Sequence, residues 1–216
     1  MGRVSRAQAE ENRQRVVATA SRMFREKGTA VSIADLMKAA GLTHGGFHKQ
    51  FASKEDLIGE AITHAFEEQA GHSAATVEEQ VEEQTEGHAG ERAVEDEHAG
   101  EHAAARRAMI EDYLSVWHRD HAGDGCPVSG FATDLGREPE QAADVRHIYR
   151  NGVRNRAARV ATGDNDGMAQ LCTMVGALVL ARATRGDALS EELLRAARTA
   201  LLGSDTGQSA PQPHTD

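Results

Sequence analysis

Residues 32–56 read SIADLMKAAGLTHGGFHKQFASKED, and the rest of the chain is arranged around them. Ser32 with Asp35 forms one helix-capping box and Ser53 with Asp56 forms another. In each, the serine hydroxyl takes a free amide of the first turn and the acid reaches back. Between the caps, Ile33, Leu36, Met37 and Ala40 fall on one apolar face at helical spacing, and Leu42, Phe47 and Phe51 supply a second. Gly41 can take the left-handed conformation that ends a helix. Two short amphipathic helices about a tight glycine turn make a helix-turn-helix, whose second helix can enter a major groove.

The second helix has Thr43 at its N-cap position and exposes His44, Gly45, Gly46, His48, Lys49 and Gln50 around an inward Phe47. Each glycine costs up to about 1 kcal/mol in a helix relative to alanine. Both lack bulk, so the backbone can approach base edges closely. The run GLTHGGFHKQFASKEDLI, residues 41–58, resembles the recognition helix and following helix start of the TetR family of transcriptional regulators. The matching terms are Thr43, Gly45, Phe47-His48, Phe51 and Ser53-Lys54-Glu55-Asp56-Leu57. His48 departs from the pattern, which usually has tyrosine there, and histidine changes charge in the physiological pH range. The resemblance covers residues 13–62 and implies binding to palindromic operator DNA as a homodimer, with release by a small-molecule inducer. The residues expected at the DNA are Ser32, Thr43, His44, Gly45, Gly46, His48, Lys49 and Lys54. Lys49 and Lys54 would meet phosphates, while His44 and the two glycines would face bases.

Charge is divided to suit this reading. Residues 1–56 hold ten Lys or Arg against six Asp or Glu, a net of +4, within a 216-residue chain of net charge −10. Every lysine lies in that segment. A basic head and an acidic body fit phosphate binding at one end. The polar start MGRVSRAQAEENR shows no signal peptide, and the apolar run near Val175–Ala181 is too short to span a bilayer, so a soluble cytoplasmic protein is expected. The two cysteines, Cys126 and Cys172, lack metal-ligand spacing, and no cofactor is expected.

The expected fold is all-α: an N-terminal three-helix helix-turn-helix domain over residues 1–56, then a helical ligand-binding and dimerisation domain over 57–203. Residues 8–27 form the first helix, with Val16, Ala20, Met23 and Phe24 on one side. Residues 67–101 contain twelve acids and one basic residue, so 67–103 reads as an acidic flexible insertion with room for helix in parts. Residues 204–216 read as a disordered tail.

Further helices are expected over 104–119, after Pro127, beyond Pro139, and over 165–184 and 189–202. The scarce aromatics gather in the middle of the chain. Tyr113, Trp117, Phe131 and Tyr149, with Cys126 and Arg156, are the candidate ligand-binding residues for an apolar or aromatic molecule. The resemblance implies that the last two helices pair with their twofold mates, with Leu171, Val175, Leu178, Leu193, Ala197 and Leu201 at the dimer interface. Cys172 reads as packing.

An alternative keeps the head and makes Cys126 a redox trigger, or His98 and His102 a metal trigger. An enzyme using Cys126 with His118 or His121 is the remaining reading. It lacks any partnered catalytic motif, so no enzymatic activity is expected.

Overall fold

A computed structural model describes residues 6–84, 94–137, 143–162 and 165–203. The helices are α1 (Arg6–Lys27), α2 (Ile33–Ala39), α3 (Lys54–Gln84), α4 (Val94–Tyr113), α5 (Val116–Asp120), α6 (Pro127–Arg137), α7 (Ala143–Val160), α8 (Met168–Ala183) and α9 (Ala188–Gly203). Two 3₁₀ helices, His44–Lys49 and Ala122–Asp124, complete the set, and no strand occurs among the described residues. The chain divides into two compact units, residues 1–88 with 121–156 and residues 89–120 with 157–216.

In the first unit α1 packs on α2, α3 and α6. Val16, Ala20 and Phe24 recur every four residues on α1 and are fully buried with Leu36, Met37 and Phe47. The Phe47 and Phe51 rings stack at 5.4 Å. Full burial of one such side chain contributes about 1.5–3 kcal/mol. The same core continues into Phe131 and Leu135 of α6 and Val145 of α7. On α7, Tyr149 donates its hydroxyl to the Val128 carbonyl at 2.7 Å. Gly152 leaves room for the Phe66 ring of α3, which a Cβ at that position would overlap.

In the second unit α8 and α9 form a hairpin, with α4 against α9 and α5 against α8. Ser190 donates to the Ala181 carbonyl at 2.7 Å and accepts from Arg119 at 3.0 Å. Arg182 donates to the carbonyls of His118 and Arg119, at 2.9 and 3.2 Å. These are C-terminal carbonyls of α5 that have no partner within their own helix.

Several expectations are corrected here. Helix α3 continues to Gln84 and α4 begins at Val94, so helix occupies much of the stretch read as a connector; residues 85–93 lie outside the described ones. The Glu, Gln and Ala of that stretch are strong helix formers, and low hydrophobicity alone does not prevent a helix. The tail, residues 204–216, also lies outside them. The helix expected over 104–119 breaks after Tyr113 and restarts because Ser115 caps it, accepting the His118 amide at 3.1 Å.

The residues expected at the dimer interface differ in exposure. Leu171, Leu178, Ala197 and Leu201 are buried within the chain's own second unit. Val175 and Leu193 are half-buried, and Cys172, expected to pack, is exposed. Helix α8 is apolar on most sides, and periodicity does not say which apolar face turns inward.

Candidate nucleic-acid interface

The helix-turn-helix forms where the caps place it. The Asp35 amide donates to Ser32 Oγ at 3.1 Å, and the Asp56 amide donates to Ser53 Oγ at 3.0 Å. Asp35 reaches back to the Ser32 hydroxyl, which donates to its carboxylate at 2.6 Å, rather than to the backbone. Gly41 turns the chain at φ +72°. The second helix is 3₁₀, and Thr43 occupies its N-cap without a side-chain capping bond. Two consecutive glycines and an absent cap leave little to sustain an α-helical turn, while Phe47 still anchors the segment inward at full burial.

Around that anchor the surface is open. Ser32, Thr43, His44, Gly45, His48 and Lys49 are exposed, and Gly46 and Lys54 are half-buried. A Cβ at Gly45 would meet nothing within 4 Å among the described residues, so this glycine answers no packing demand there. At Gly46 a Cβ would lie 3.5 Å from Met37 Cε. His48 sets its ring edge-on to Phe47 at 5.2 Å.

Lysines and arginines of the head do different work. Arg13 forms a two-pronged pair with Glu60, one prong at 2.6 Å, and lies over the Phe51 ring at 4.6 Å. Its hydrogen bonds to Glu60 and that residue's charge raise its pKa against the opposing effect of burial. Arg15 pairs with Glu11, Arg22 with Asp124 and Arg25 with Glu68. No ion pair among the described residues involves Lys27, Lys38, Lys49 or Lys54. Among the described residues, the unpaired positive charge of the head is therefore carried by these lysines and by Arg6 at the start of α1. Lys38, exposed on α2, belongs with Lys49 and Lys54 in that set, and a charge census by residue could have found it.

The six effector residues fall in different units. Cys126, Phe131, Tyr149 and Arg156 lie in the first, and Tyr113 and Trp117 in the second. Tyr113, Cys126, Phe131 and Arg156 are buried and Tyr149 is half-buried, whereas Trp117 is 54% exposed. Burial, and then the charge of an ionised Cys126, pushes the Tyr149 phenol up to about 12. A shallow open cleft of about 430 Å³ lies elsewhere, between α1 and α3, lined by Glu10, Arg13, Glu60, His64 and neighbours. No group of three metal-binding side chains occurs among the described residues, and the side chain of His98 lies outside them. None of the described helices is long and apolar enough to cross a membrane.

A helix-turn-helix head on an all-α body is the class that fold and surface define. Residues 16–61 match the family of bacterial regulatory proteins described as the tetR family. The HTH-type transcriptional regulator AcrR of Shigella flexneri is 36% identical over 61 residues, which are 28% of this chain and 28% of that protein. The match thus spans little more than a quarter of that relative. A TetR transcriptional regulator from Chloroflexus aurantiacus J-10-FL superposes with a TM-score of 0.59 at 22% identity, covering 94% of this chain and 98% of that one. A TetR-family regulator from Agrobacterium tumefaciens gives 0.63 at 19% identity, covering 91% and 98%. Residues 16–61 thus carry the helix-turn-helix of the tetR family, and the chain as a whole shares the fold of solved regulators of that family.

Proposed function

We propose that this chain is a one-component transcriptional regulator, a repressor, which binds a palindromic operator as a homodimer and is released by a small molecule. The observation that carries the reading is the exposed 3₁₀ helix, with bare backbone at Gly45 and lysines that no acid of the described residues neutralises. Phosphate contacts from Lys38, Lys49 and Lys54 would position the head, and His44 with the glycine edge would read bases.

The second copy would lie against the outer face of α8 and α9. Val179, Leu180 and Leu189 are 45%, 53% and 46% exposed there, with Cys172 and Ala196 on the same two helices. This face replaces the residues that are buried within the subunit. On the effector side, Cys126, Phe131, Tyr149 and Arg156 bring a thiol, two rings and a guanidinium onto α6, its entry and α7, a set suited to an apolar or aromatic ligand with one acceptor group. Tyr113 and Trp117, in the other unit, are candidates apart from that set.

Selection from a pool of random duplexes, followed by fluorescence anisotropy on the winners, tests the reading. An inverted-repeat consensus bound by two chains per duplex is expected. Equal affinity for selected and random duplexes at physiological salt would overturn it.

A further inference from the structure

Arg25 lies in the last turns of α1 with its side chain only 1% exposed. A charge held that deep persists only where partners replace its water. Its Nε donates to the Ser21 carbonyl at 3.2 Å and its Nη2 to Ser21 Oγ at 3.3 Å. The same Nη2 pairs with Glu68 Oε2 of α3 at 2.7 Å, and Nη1 donates to the Gly125 carbonyl at 2.8 Å. One guanidinium thus joins α1, α3 and the segment that enters α6.

Two more joints flank it. The Thr29 amide donates to Asp134 Oδ2 of α6 at 2.6 Å, and Arg22 pairs with Asp124 at 2.9 Å. Gly28 holds φ +82°, and a Cβ there would come within 2.9 Å of the same Asp134 oxygen. Gly130 of α6 faces Arg25 itself. A Cβ at Gly130 would lie 2.8 Å from Arg25 Cγ and 3.2 Å from its Cα, so α6 rests on α1 with no room for a methyl group.

Holding the fold alone would not call for this arrangement, since apolar residues of similar volume often replace a buried ion pair without loss of stability. A rigid fork with acceptors on separate elements fixes relative position. The joints close on Gly28 and Thr29, the link that leads to the Ser32 cap of α2, and on α1, whose Phe24 shares the core with Phe47.

We infer that Arg25 and Asp134 are positioning residues for operator reading. They tie α2 and the recognition element to α6, so that the placement of α6 sets how well the head fits DNA. This rests on the reading of the head as a DNA-binding domain.

Gly130→Ala is the direct test, because its methyl displaces Arg25 and adds no charge. Affinity for the selected duplex should fall at least tenfold, and amide exchange over residues 29–50 should quicken. Melting should fall as well, since the methyl group overlaps the Arg25 stem and backbone, so the Asp134 variants separate positioning from stability. Asp134→Ala should lose affinity in the same way, while Asp134→Asn, which keeps an acceptor for the Thr29 amide, should recover most of the affinity. Wild-type affinity in both Gly130→Ala and Asp134→Ala overturns the inference, as does equal loss in the Asn and Ala variants. Should the unmodified chain prefer no duplex, the DNA-binding reading fails on its own. The exchange measurement then decides, and unchanged rates over 29–50 overturn the tie between α6 and the head. If Gly130→Ala does not fold, the Asp134 pair, which introduces no clash, gives the answer.

Discussion

Replacing Lys54 by alanine removes a cation from the start of α3, where no carboxylate among the described residues pairs with it. A phosphate contact contributes about 0.9 to the slope of log affinity against log salt. A dimer on one operator presents the residue twice, so the Lys54→Ala slope should be shallower by about 1.8. Between about 50 and 200 mM salt, a fourfold change, the affinity gap between wild type and variant should then narrow about twelvefold. Because phosphates carry no sequence information, selected and random duplexes should lose affinity alike. Arg13→Met is the matched control. It too removes a head cation, but one already neutralised by Glu60, so its slope should equal that of wild type. Anisotropy titrations at four salt concentrations measure both. The division of work between lysine and arginine is refuted if Lys54→Ala keeps the wild-type slope, or if Arg13→Met loses as much of it.

Three further outcomes follow from the packing. Leu180→Glu, on the exposed face of α8, should yield a folded monomer by sedimentation, whereas Leu178→Glu should fail to fold, because it buries a carboxylate at a fully enclosed site; a folded dimer from Leu180→Glu would place the interface elsewhere. Gly152→Ala should lower the melting temperature despite alanine's helix preference, since the methyl group overlaps Phe66 and overpacking costs about 1–3 kcal/mol. Phe66→Leu should restore most of that loss, and additive losses in the double variant would contradict the contact. Tyr149 should remain protonated at pH 11, read at 295 nm in a Tyr113→Phe background that leaves it the single tyrosine. Its raised pKa means that the unfolded chain loses the proton first, so stability should decline as pH climbs from about 10 toward 12. A midpoint near 10 would show an unburied phenol.

The head was legible because its signals are local. Capping serines, Gly41 and the apolar faces of two short helices each act within a few residues, and the structure realises them where they stand. The 3₁₀ form of the second helix was not legible, since Thr43 has the right identity for a cap and does not act as one. At α8 the difficulty was different. A helix apolar on most sides carries two readable stripes, and only the partners supplied by α9 and α5 decide that Leu171 and Leu178 turn inward while Val179 and Leu180 stay out. Arg25 and Asp134 gave no local signal at all. They are 109 residues apart in the chain, and an arginine near a helix C-terminus reads as an ordinary dipole partner.

The core that runs from Val16 through Phe47 into Phe131, Leu135 and Val145 bears on how regulators of this kind can be recombined. A graft that moves residues 1–56 onto another body would take Phe24 and Phe47 without α6, and would leave the Thr29 amide and the Arg25 guanidinium facing whatever the new body offers. The compact unit that holds the head is discontinuous: it joins residues 1–88 to residues 121–156, which the chain does not reach until it has built α4 and α5. Exchange of operator specificity is accordingly better attempted one side chain at a time, on the exposed rim from Thr43 to Lys49, than by exchange of domains.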